Sequence, residues 1–181
     1  MREDTARTSI EIARRVLALH CVIVAAHGVS KEVITEWLQE ERLWDALTPR
    51  ELRFMSKQEN PRKDFVRMTW FVESQVALLW AIEKLGHLPS LTTKCDTGPV
   101  VGAMPLMFNS TLPFIESASL RSLSVLHQEE EQLYDIRCHV NRPLRGGKAA
   151  PDKEVAFFRH YGLLWVVGYC GQSWDDITPD I

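Results

Sequence analysis

Apolar residues recur along this chain at helical intervals. From Thr5 to Ala26 the sequence begins polar and becomes apolar on nearly every face. The spacing predicts a helix that sinks into a core before stopping at Gly28. Ser30 is the expected N-cap of a second helix over KEVITEWLQEERLWDAL, in which Val33, Trp37, Leu38 and Trp44 share helical spacing. Thr48, Pro49 and Glu51 stand as N-cap, first helical residue and capping-box partner of a third. A long helix is expected from about Asp64 to Lys84, ending at Gly86. It carries two apolar faces, Phe71, Leu78, Ile82 and Leu85 on one and Val72, Val76, Leu79 and Trp80 on the other, which predicts a central helix packed on more than one side.

The stretch HLPSLTTKCDTGPVVGAMPLMFNSTLP reads as irregular, with at most a short strand at Val100-Val101. A further helix is expected from Phe114 or Ser119 to Val140, with a stripe of Leu120, Leu123, Leu126, Leu133, Ile136 and Val140. NRPLRGGKAAPDK then reads as an exposed loop, and EVAFFRHYGLLWVVGYC, apolar nearly all round, as a core helix. No alternating strand pattern of useful length occurs. The expected class is all-α: a single compact helical domain of about six helices over residues 1–181.

Composition narrows the function. The chain has 181 residues, 45% of them hydrophobic, which suits one domain with a sizeable core. A net charge of -3 without a basic stripe argues against direct nucleic-acid binding. The longest apolar stretch, VLALHCVIVAAH, is short of the roughly 20 residues that span a bilayer, so no membrane partner is expected. The start, MREDTARTSIEIARR, lacks a secretory cleavage pattern, and Cys21, Cys95, Cys138 and Cys170 are dispersed; both fit a cytoplasmic protein with reduced thiols.

Candidate chemistry is sparse. The six histidines form no HxxxH or HExxH pair, so no metal is expected. Cys170 in GYCGQS lies on the same helix as His160 but more than two turns away, out of reach of a thiol-histidine pair. RPLRGGKAAP has a basic glycine loop but neither the residue order nor the preceding strand of a phosphate-binding loop. No catalytic residue, cofactor or metal ligand is predicted. Carboxylates are more informative. The helical rotation puts Glu131 and Asp135 on a solvent face, Glu130 inside the apolar stripe and Glu129 at its border. A carboxylate at Glu130 needs a partner, with Arg159 the favoured one, while the helix edge offers a docking surface for a basic protein. Glu73, between two apolar faces, is also expected to pair with an arginine or cap a nearby backbone. Asp175 and Asp176 diverge as neighbours, and they are expected to bind backbone or basic groups while Trp174 pins the terminus to the core.

Six segments together resemble the bacterial domain-of-unknown-function family 4272. They are Ala13 to Arg15, WLQEERLWDALTPRE, TWFVESQVALLWAIEKLGHLP, LRSLSVLHQEEEQLYDIR, RHYGLLWV and WDDITPDI. Phe71 stands where that pattern has arginine and Leu164 where it has asparagine, which shifts weight from an enzyme to a binding protein. The resemblance implies a helical fold with no established reaction. It also implies the role of an immunity protein for a secreted, type VI-like toxin, with a cognate toxin as partner, a DNase or other nuclease fitting an acidic surface. On that reading Glu129, Glu130, Glu131 and Asp135 are the expected partner-binding residues, with Asp175 and Asp176 as further candidates. The alternatives are a small-molecule- or metal-dependent enzyme using Glu73, His160 and the terminal aspartates, or a regulatory interaction domain.

Overall fold

A computed structural model describes residues 5–139 and 149–179. Eight helices follow in order: α1 (Ser9–Ala26), α2 (Lys31–Glu40), α3 (Pro49–Ser56), α4 (Arg62–Ala81), α5 (Thr97–Gly102), α6 (Leu112–Glu116), α7 (Leu123–His139) and α8 (Lys153–Val167). Six are longer helices of the kind expected; α5 and α6 are short additions in the irregular stretch. Among the described residues there is no strand, and Val100 and Val101 belong to α5.

Local caps set the starts. Thr8 and Glu11 form a capping box at α1, as Thr48 and Glu51 do at α3, while Ser30 and Asp152 cap α2 and α8. α4 lies between α1 and α8, α8 packs in turn on α7, and α2, α3 and α6 pack around α1. The double-faced apolar pattern of α4 is what lets it occupy the middle. Gly162 permits a close crossing: a Cβ there would lie 2.9 Å from the backbone oxygen of Ser74 on α4.

The chain departs from its periodicity in three places. α2 stops at Glu40, because Arg42 takes a left-handed φ of 56° and a 3₁₀ turn covers Trp44–Ala46. The buried stripe of α2 is Ile34, Trp37 and Leu38, leaving Val33 exposed. The helix expected to run from Phe114 or Ser119 to Val140 is instead two, α6 and α7. Between them the chain docks on the end of α4, where the Arg121 amide donates to Ala81 O (3.0 Å) and its guanidinium to Trp80 O (2.7 Å) and Leu85 O (2.9 Å). These bonds satisfy carbonyls that a helix C-terminus leaves without partners. Leu123, at the start of α7, is consequently 50% exposed rather than part of the buried stripe. Val140, Arg142, Arg145, Gly146, Gly147 and Lys148 lie outside the described residues.

Candidate functional site

The packing of α4, α7 and α8 decides which charged groups meet. Glu73 on α4 and Arg159 on α8 are both fully buried, facing each other across the α4–α8 seam. Arg159 Nε donates to Glu73 Oε2 at 3.0 Å, and the Cys95 amide donates to Oε1 at 2.7 Å. Arg159 Nη1 donates to Pro89 O. A buried carboxylate is tolerated because a counter-charge and a backbone donor replace its water. Arg159 therefore serves Glu73 and not Glu130.

Glu130 pairs with the next residue of α8 instead. Its Oε1 accepts from His160 Nε2 at 2.8 Å, and Arg137 Nη1 lies 2.6 Å from His160 Nδ1. A guanidinium only donates, so Nδ1 accepts and the imidazole proton sits on Nε2. Side chains, rather than a backbone carbonyl, thus satisfy this core histidine. Arg137 Nη2 continues to Pro179 O at 3.3 Å. The role of Arg137 was missing from the sequence reading, although it lies seven residues after Glu130 and so on the same helical face.

A second buried pair, Arg15 with Glu51, joins α1 to α3 (Nη1 to Oε2, 2.9 Å), and Arg15 also donates to Ala46 O at 2.7 Å. Its guanidinium lies 4.5 Å from the centre of the Trp174 ring. Trp174 is buried among Phe71, Tyr161 and Trp165, with the Tyr161 hydroxyl donating to its carbonyl. Asp175 Oδ2 accepts from the Arg50 amide in the first turn of α3 at 2.8 Å, and Asp176 Oδ2 from the Ser173 hydroxyl at 2.6 Å. Both aspartates thus hold local structure, and Asp180 lies outside the described residues. Phe71 and Leu164, the two departures from the resembled pattern, are core side chains.

What remains open is the outer side of α7. Glu131, Asp135, Gln128 and His127 are exposed there, with Tyr134 at 45%. Glu129 is half-buried at the wall of a cleft of about 390 Å³ between α7 and the turn after α4, with Arg159 and Trp80 among its lining. Burial pushes the Glu129 carboxyl up from its usual pKa, and the Arg159 charge opposes that in part. Thiols respond likewise, buried Cys21 and half-buried Cys95 each being pushed up to about 12, chiefly by desolvation. Among the described residues no three histidine, cysteine or acidic side chains converge as a metal site.

A family model described as domain of unknown function (DUF4272) matches residues 1–177. No curated protein and no solved structure matches the chain. Among the described residues, no helix is long and apolar enough to cross a membrane.

Proposed function

This chain belongs to the DUF4272 family, and from that premise we propose that it is an immunity protein. It acts in the cytoplasm as a stoichiometric binder that neutralises a contact-delivered toxin, such as one delivered by a type VI-like system, by covering its active surface. The observation that carries this reading is the contrast between the inner and outer sides of α7. Inward, Glu130 is consumed by His160, whereas outward Glu131 and Asp135 face solvent beside the half-exposed ring of Tyr134. An aromatic group bordered by carboxylates that pair with no cation among the described residues suits a basic protein surface, such as the substrate groove of a nuclease. The enzyme reading has less support. Its proposed groups Glu73 and His160 are buried with their polar atoms engaged in the fold, and Asp175 caps α3.

Co-expression with the toxin encoded beside this gene is expected to restore growth, and the two proteins are expected to co-purify. No rescue and no complex would reject the immunity role. The double variant Glu131→Arg, Asp135→Arg is expected to fold normally. It should weaken the complex by roughly tenfold or more, mainly through slower association, and diminish the loss of affinity with added salt. Unchanged affinity would instead remove α7 as the interface.

A further inference from the structure

Glu129 differs from its neighbours in α7. It makes no hydrogen bond or salt bridge within the described residues, yet its side chain is withdrawn into the 390 Å³ cleft. Gln132, Leu133 and Ile136 of α7 form the same wall, and Leu88 and Pro89 of the turn after α4 form the facing one. Among the described residues the cleft lining holds one arginine, Arg159, and one histidine, His87; Arg159 Nε donates to Glu73 and its Nη2, without a hydrogen bond of its own, lies 3.0 Å from the same carboxylate. Counting Arg159, Glu73 and Glu129 leaves one negative charge at the cleft when Glu129 is ionised.

That ledger selects the occupant. An anion would meet the Glu129 carboxylate, with the Arg159 charge balanced by Glu73 behind it. A purely apolar side chain strips water from Glu129 and offers nothing in exchange, which is costly for a charged group. A cation on a flexible methylene stem fits both features, because its stem covers apolar walls while its head stays paired. We infer that the cleft receives a lysine or arginine side chain from the partner protein, its head group donating to the Glu129 carboxylate and its stem lying along Leu88, Leu133 and Ile136. The inference rests on the reading of this protein as a partner-binding module and places the anchor point beside the acidic outer side of α7. It makes Glu129, rather than the more exposed Glu131, the residue that selects a basic side chain by enclosing it.

The test needs no toxin, so it fails separately from the immunity reading. The full ¹⁵N-labelled chain is titrated with Nα-acetyl-lysine methylamide, its arginine counterpart and, as a neutral control, its norleucine counterpart. Saturable amide shifts centred on Gly86–Leu88 and Glu129–Leu133 are expected for at least one cationic probe, with a dissociation constant on the order of millimolar for so small a ligand. Whichever cationic probe binds more tightly identifies the preferred side chain. Glu129→Gln is expected to abolish the response while keeping a dispersed native spectrum, whereas Glu131→Gln retains it. An equal response to norleucine, a response that survives Glu129→Gln, or no response to either cation overturns the inference.

Discussion

Glu129 and Glu130 are consecutive residues of one helix with opposite fates. A rotation of about 100° per residue turns Glu130 onto His160 and leaves Glu129 in the cleft without a hydrogen-bonding partner among the described residues. The consequence for Glu129 has a definite sign. A carboxyl group whose folded pKa lies above its unfolded value holds its proton more tightly in the native state. Its contribution to stability therefore falls as pH rises from the unfolded value through the raised folded one, and the cost is full above that window. Glu129→Gln is expected to be more stable than the parent in urea denaturation near pH 7, with the difference vanishing near pH 3, below the ordinary glutamate range of about 4.3. An unchanged or lower midpoint at neutral pH would show that the carboxylate is not under strain. That Glu73 needs an arginine or a backbone donor was legible from its place between two apolar faces, and so was the inward turn of Glu130. Which cation each obtained was not. Arg159 and His160 are neighbours in sequence, about 100° apart around α8, and the orientation of α8 in the packed fold decides which carboxylate each one meets.

At the scale of elements, the helix starts are properties of short stretches. The Thr8–Glu11 and Thr48–Glu51 boxes satisfy free amides within their own first turns, so three or four residues suffice to specify them. Helix ends proved harder to foresee, because Arg42 and Glu83 turn the chain through left-handed conformations without a glycine. The gap between α6 and α7 likewise reflects bonds from Arg121 to the end of α4. The α4–α8 seam carries its own prediction. Gly162→Ala puts a methyl group 2.9 Å from Ser74 O and 3.3 Å from Ser74 Cα, both backbone atoms that cannot rotate away. The helices must then separate, at about 1–3 kcal/mol for overpacking. A thermal melt should show Tm lowered by several degrees, and an unchanged Tm would mean the seam has slack.

Across the whole molecule, the C-terminal segment closes the core. Trp174 fills the space between Phe71, Tyr161 and Trp165 and covers the buried Arg15–Glu51 pair, while Asp175 holds the start of α3. Removing residues 172–181 is expected to strip more than the roughly 3–5 kcal/mol that a large core aromatic alone contributes. Near-UV circular dichroism should lose its aromatic signal and urea unfolding its cooperativity; a truncated chain that melts sharply at the parental temperature would contradict this. The helical class, the central position of α4 and the caps at Ser30 and Thr48 followed from the sequence alone, because helix periodicity and capping depend on residues a few positions apart. The charged pairs, the cleft and the division of α7 into committed and uncommitted carboxylates were decided only in three dimensions. Glu73 and Arg159 are 86 residues apart, and their meeting depends on how α4, α7 and α8 cross, which no local pattern encodes.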